Sequence, residues 1–293
     1  MLEPIILASQ AMMSRTSQQL SLAQACNLLG DLLLLTGKPE IAVQHHEKSS
    51  NISVNISTEY NDTPTINKIQ SLRYSSLLNR GLCYLSLWEI GKAHNFFLNL
   101  EKLCNEMNQQ ELSNLGVHIF RVNSCLSLTY SLISDKKNTL LSINQVFANQ
   151  TQHRAYSSQT RGYSSLFIAQ AYKNIGYLEK SDERYQEALK YADESNCSQV
   201  KAIALYGVGE LERMNHRYSS ALSYIKIAID ILKKIWANPD RAEAFFQFGL
   251  TYQAMGEHDQ AEEYKAKALE LFEQMEAPKQ IERVNKAFGG NFQ

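Results

Sequence analysis

No stretch of this sequence stays apolar over the roughly 18 residues that a membrane-spanning helix needs. A surplus of charge is missing as well. The 29 lysines and arginines stand against 30 acids, and up to residue 150 the count is 11 against 11. A nucleic-acid groove normally shows itself as a cationic stripe, so this balance argues against a nucleic-acid partner. Glycine is sparse, at 13 residues, and never gathers into G-x-x-x-x-G-K-[ST] or G-x-G-x-x-G, the loops that cradle phosphates. There is no H-E-x-x-H, no G-x-S-x-G and no zinc-spaced cysteine set, so the sequence points to no metal, no cofactor and no enzyme. The five cysteines, Cys26, Cys83, Cys104, Cys125 and Cys197, are odd in number and form no C-x-x-C pair. In contexts such as NRGLCYL and NSCLSL they read as small core residues. Adjacent His45 and His46 face different sides of one helix and are not expected to share a metal. The opening MLEPIILASQAMM carries Glu3 and no basic start, a poor signal peptide, and a cytoplasmic protein is expected. The five prolines, Pro4, Pro39, Pro64, Pro239 and Pro278, all fall at expected helix starts, where the missing N–H costs no hydrogen bond.

What the sequence has instead is a repeat. Ala169, Gly209 and Gly249 form one column, Ser181, Ala221 and Ala261 a second, and Ala188, Ala228 and Ala268 a third. All three columns step by the same interval of about 40 residues, a period that belongs to solenoids. Within AQAYKNIGYLEKSDERYQEAL the apolar positions fall at i, i+3, i+4 and i+7, which describes two amphipathic helices joined by a tight turn. Gly176 and Gly256 stand where the first helix must stop and suit a left-handed residue there. His216 occupies that place in the middle copy, and Asn215 is expected to take the left-handed conformation instead. No hairpin buries its face alone, so stacking must supply the core.

The stretch G-L-T-Y-Q-A-M-G-E-H-D-Q-A-E-E-Y-K-A-K-A, Gly249 to Ala268, resembles the tetratricopeptide repeat family: a small residue, an aromatic three later, a glycine, an alanine, an aromatic and a second alanine. The usual period of that family is shorter, about 34 residues. The longer period here is similar to the arrays of bacterial peptide-sensing regulators and of the sensor regions of large signalling ATPases. The resemblance implies an all-α, right-handed α-α superhelix of six hairpins plus an end helix. The expected divisions are an N-terminal helix in residues 1–15; repeats at 16–50, 64–108, 109–149, 152–195, 198–236 and 239–275; and a capping helix at 278–288. Residues 50–63 are rich in Ser, Thr and Asn and are expected to form an irregular loop. Its Ile52, Val54, Ile56 alternation offers an extended strand as a second form, and its N-x-[ST] triplets at Asn51, Asn55 and Asn61 read as loop composition. In the eroded third copy Ser127, Tyr130, Ser134 and Thr139 take the small, aromatic, turn and alanine columns.

The family's concave surface comes mainly from the first helix of each hairpin. Carried onto this chain, it places Gln24, Asn27 and Asp31 in the groove from repeat one, and mostly Leu and Ser from repeats two and three, including Leu78, Leu82, Ser124 and Leu128. Repeat four gives Tyr163, Gln170, Lys173 and Asn174; repeat five Tyr206, Glu210 and Arg213; repeat six Glu243, Phe246 and Gln253. Amides, single charges and rings along a groove suit a peptide. A carboxylate clamp of lysine and asparagine is not supported, since repeats one to three lack lysine or arginine at these positions. The expected function is therefore a non-enzymatic scaffold or sensor that takes a protein or peptide in its groove, with any homo-oligomer formed through the end helices. The alternatives are the recognition segment of a larger bacterial signalling ATPase, or a peptide-pheromone-type regulator lacking its effector domain.

Overall fold

The computed structural model describes residues 15–57, 63–106, 115–152 and 156–289. Over these the chain is a run of helices: α1 (Arg15–Thr36), α2 (Pro39–Ile56), α3 (Thr63–Ser86), α4 (Ile90–Glu106), α5 (Leu115–Leu132), α6 (Lys136–Gln152), α7 (Ser158–Asn174), α8 (Leu178–Ser195), α9 (Ser198–Met214), α10 (Tyr218–Lys234), α11 (Asn238–Met255), α12 (His258–Gln274) and α13 (Pro278–Gly289). They pair as six hairpins followed by an end helix, an all-α solenoid. Except for Arg15, the N-terminal helix expected in 1–15 lies outside the described residues. Among the described residues no helix is long and apolar enough to cross a membrane.

Each hairpin closes on one left-handed residue: Gly37, Trp88, Ser134, Gly176, His216 and Gly256, with φ of 89°, 59°, 64°, 84°, 58° and 80°. At Gly176 the N–H donates to Lys173 O (3.0 Å) and the next N–H, of Tyr177, to Tyr172 O (2.9 Å), which satisfies carbonyls the helix end would leave open. The His216 turn repeats that pattern, through Arg213 O and Glu212 O. Asn215, expected to be the left-handed residue, sits at φ −90°. The two helices fix where the chain must reverse, and that outweighs the left-handed cost of about 1–2 kcal/mol at a histidine.

The small-residue columns explain the packing. A Cβ on Gly209 would lie 3.1 Å from Ala221 O, and one on Gly249 3.2 Å from Ala261 O. In the copy before them Ala169 O accepts the Ser181 hydroxyl at 2.8 Å. Columns one and two therefore face each other across each hairpin, while Ala188, Ala228 and Ala268 are all fully buried in the cores between hairpins. The cysteines Cys26, Cys83, Cys104 and Cys125 are buried and Cys197 half-buried, all as free thiols. Burial pushes the thiols of Cys83, Cys104 and Cys125 up to about 12.

The loop expected at 50–63 is corrected in its first part, since α2 continues through Ile56 and no strand forms there. Ser49, Ser50, Ser53 and Ile56 are buried on one helical face. The Ser53 hydroxyl donates to Ser49 O (2.9 Å) and the Ser76 hydroxyl of α3 to Ser49 Oγ (2.9 Å). Serines that bond locally are tolerated in a helix, and their small size lets α2 and α3 approach closely. Residues 58–62 of that expected loop lie outside the described residues.

The inner helices α1, α3, α5, α7, α9, α11 and α13 contact one another in order, and α11 also returns to α1. Asn238 Nδ2 donates to Thr36 O at 2.9 Å. Lys279 Nζ donates to Glu89 Oε2 (2.6 Å) and Gln280 Nε2 to Ser86 O (3.0 Å). The end helix thus does more than cover the apolar face of α12: with α11 it clasps the turns of the first two hairpins and closes the array into a ring.

Candidate functional site

Closure of the ring leaves two adjoining cavities along its centre, of about 290 Å³ and about 530 Å³. Both are walled by Leu34, Leu35, Leu82, Tyr163, Phe167 and Gln199. Volumes of this order hold small ligands or a few residues of a peptide.

In the first cavity the inner faces of α7, α9 and α11 present Gln170, Lys173, Asn174, Tyr206, Glu210, Asp240 and Glu243. Neighbouring hairpins place these at matching heights, so their polar groups join into a ladder. Lys173 Nζ donates to Glu210 Oε2 (2.6 Å), and Arg213 lies 3.7 Å from Glu210 while donating to Gln247 Oε1 (3.0 Å). Gln247 Nε2 in turn donates to Glu243 Oε1 (2.9 Å), and Glu243 pairs with Arg283 of α13. The Arg283 guanidinium stacks over Trp88 at 4.1 Å and Phe246 at 4.7 Å. Burial alone would raise the Glu243 pKa, but Arg283 and Gln247 outweigh it and hold the carboxyl below its ordinary value.

A second chain of bonds links the cavities. The Tyr163 hydroxyl donates to Gln199 Oε1 (2.7 Å), and Gln199 Nε2 donates to Asp240 Oδ2 (2.8 Å). Asp240 is pushed up to about 6, first by desolvation and then by the nearby Glu243 charge, with the Gln199 bond opposing. Its proton affinity therefore rises on folding, so its effect on stability is complete below the ordinary value of 3.8 and is lost as pH climbs through about 6. Asp240→Asn, which keeps an acceptor for Gln199, is expected to match the wild type at pH 4. At pH 7.5 it is expected to be more stable by about 1–2 kcal/mol, the upper figure being cut because the carboxylate faces cavity water. Melting curves at the two pH values check this.

The second cavity has Asp31, Asn79, Arg121 and Gln159 around it. Asn79 Nδ2 donates to Asp31 Oδ1 (2.6 Å). Desolvation pushes Asp31 up to about 6, against the pull of Arg121 and Asn79. His46 approaches Asp31 at 3.7 Å, but burial and the neighbouring His45 and Arg80 lower its pKa to about 4, so it stands neutral and gives Asp31 no cation.

Of the groove residues expected from sequence, Tyr163, Gln170, Lys173, Asn174, Tyr206, Glu210 and Glu243 come together in the first cavity, and Asp31 joins Tyr163 in the second. Five do not line either. Asn27 is buried between helices, its Oδ1 bonded to His46 Nδ1 and Ser76 Oγ at 3.0 Å each. Phe246 is buried against Phe288. Gln253 turns to Phe288 O under the end helix (3.4 Å), Arg213 supports the ladder from outside, and Gln24 is half-buried on α1. The sequence reasoning missed Asn79, Arg121, Gln159, Gln199, Asp240 and Arg283. Gln159 and Gln199 are spaced by the same interval as the small-residue columns, and that signal would have found them upstream of Ala169 and Gly209. Among the described residues no three His, Cys, Asp or Glu side chains gather as a metal site.

A family model for the tetratricopeptide repeat matches residues 200–274. Comparison with curated protein sequences returns no match. Among solved structures, NprR in complex with its cognate peptide NprX is 14% identical over 98% of this chain and 78% of that one, with a TM-score of 0.63. A Rap protein complexed with competence and sporulation factor is 15% identical over 90% and 80%, at 0.61. PlcR from Bacillus thuringiensis, in complex with the peptide PapR7 and DNA, is 16% identical over 83% of each chain, also at 0.61. At such identities the likeness is one of fold.

Proposed function

We propose that this tetratricopeptide-type solenoid is a non-enzymatic module of the cytoplasm that takes a short peptide into its central cavities. The observation that carries the reading is the lining. Leucines and the rings of Phe167 and Tyr206 offer apolar anchorage, while Gln170 and Asn174 line the same wall, Asn174 held by its Nδ2 donating to Ser131 Oγ at 2.9 Å. Three similar structures were solved with a peptide or with competence and sporulation factor, which supports the same use here. Of the two larger settings expected from sequence, those complexes favour the peptide-sensing regulator over the ATPase.

The test is affinity selection of a random hexapeptide mixture on the immobilised protein, read by mass spectrometry. Wild type is expected to retain a defined subset. Gln170→Ala with Asn174→Ala is expected to lower the affinity of that subset about tenfold, from two lost hydrogen bonds, with unchanged circular dichroism. A wild-type protein that retains no peptide overturns the proposal.

A further inference from the structure

Among the described residues, three charges at the cavities have no lysine or arginine ion pair within 4 Å: Arg121 and Asp31 at the second, which attract each other from farther off, and Asp240 at the first. Arg121 of α5 borders the second cavity, and its guanidinium makes one long hydrogen bond, from Nη1 to Ser75 Oγ at 3.5 Å, with no ion pair. Its electrostatic neighbour of opposite sign is Asp31, whose oxygen Oδ1 is already taken by Asn79. A guanidinium carries five donors in a planar fork that matches a carboxylate, so most of its donor capacity is unspent. Gln159 borders the same cavity.

At the far side, Asp240 borders the first cavity with Gln199 as its bonded partner and no cation paired to it among the described residues. The other charges of that cavity are matched, Lys173 with Glu210 and Arg283 with Glu243. Gln199 borders both cavities and touches Asp240, so Arg121 and Asp240 stand in adjoining cavities that share a wall. An unpaired charge kept out of bulk water is costly, and an occupant that supplies both missing partners removes both costs.

Resting on the peptide-binding reading, we propose that the occupant is a dipolar peptide, held by a carboxylate on Arg121 and by a cationic group on Asp240. The peptide therefore lies in one direction, with its acid toward α5 and its ammonium or guanidinium toward α11. Arg121 lies outside the lysine and asparagine positions on which a carboxylate clamp would draw; it stands six residues before Ser127, in the column that holds Gln24, Tyr163 and Glu243 in other copies, while Asp240 lies outside the groove columns of the repeat.

The experiment uses the full chain and hexapeptide mixtures synthesised as free acids and as carboxy-terminal amides. Wild type is expected to retain peptides that carry both a carboxylate and a basic group. Retention of free acids alone assigns the anchor to the terminal carboxylate; amides retained only when they contain Asp or Glu assign it to a side chain. For the best-retained sequence, Arg121→Gln is expected to weaken binding thirtyfold or more, and Arg121→Lys less. Asp240→Asn is expected to weaken it about tenfold and to abolish the selection for basic residues. Circular dichroism and melting confirm that each variant is folded, and the acid-against-amide comparison on wild type needs no variant. Peptides retained without any carboxylate, or bound equally well by Arg121→Gln or by Asp240→Asn, overturn the dipolar anchor and leave the peptide reading standing. If wild type retains no peptide, both fall.

Discussion

Tyr185→Ala is expected to remove about 3–5 kcal/mol of stability and to lower the melting temperature by about 8–15 °C. Tyr185 is 1% exposed, and its ring fills the space beside Gly207 on the next hairpin. A Cβ built on Gly207 would stand 2.3 Å from the Tyr185 ring, so α8 and α9 approach as closely as they do because that position has no side chain. Gly207→Ala should therefore be destabilising by about 1–3 kcal/mol, even though alanine gains about 1 kcal/mol in helix propensity. With the ring gone, the methyl has room. The double variant Tyr185→Ala with Gly207→Ala is expected to be more stable than the sum of the single costs by at least about 1 kcal/mol. Strict additivity in urea titrations would mean that ring and glycine do not set the helix separation.

That pair also shows how far the sequence was legible. Tyr185 lies three residues before Ala188 of the third column, and Gly207 two before Gly209 of the first, so the regular return of small residues located the hairpins and their contacts. The turns were legible wherever glycine marked them. Ser134 also stood in its turn column; only in the middle copy was the neighbouring Asn215 expected in place of His216, where the geometry of two packed helices imposes a left-handed residue whatever stands there. The α2 extension was hidden by composition, because Ser49 and Ser53 read as loop until they are seen to bond within their own helix and across to α3. The groove was half legible. Positions next to the small-residue column gave Gln170, Lys173, Tyr206 and Glu210, since those face the axis of any such array. Phe246 and Gln253 occupy similar positions but are covered by α13, and Asn27 is taken up by His46 and Ser76. Asp240 and Arg283 became part of the site only when the array closed on itself, whereas Arg121 stands in the same column as Tyr163 and Glu243. Closure depends on contacts between opposite ends of the chain, such as Asn238 with Thr36 and Lys279 with Glu89, and no periodicity records those.

Leu87→Asp is expected to open that ring. Leu87 is buried at the end of the second hairpin's first helix, in one apolar cluster with Ala242, Phe246, Phe272, Met275 and Val284 of the last hairpin and end helix. Its neighbours complete the clasp: Ser86 O accepts from Gln280, Trp88 lies under Arg283, and Glu89 receives Lys279. The exposed Lys279 pair contributes little by itself, so the leucine is the principal tie. An aspartate in its place would bury a carboxylate with no partner, which costs more than a single such contact returns. The hairpins stack on sequence neighbours, so each keeps its own interface while the ends separate. Small-angle scattering is expected to show a larger radius of gyration with circular dichroism nearly unchanged, whereas Leu87→Ala stays closed at a cost of about 2–4 kcal/mol. Opening also withdraws Leu85, Ser86 and Trp88 from the wall that they share with Asp240 and Arg283. Peptide retention is therefore expected to fall in Leu87→Asp even though neither Arg121 nor Asp240 has been altered. Unchanged scattering would show that the ring is held by something other than this leucine.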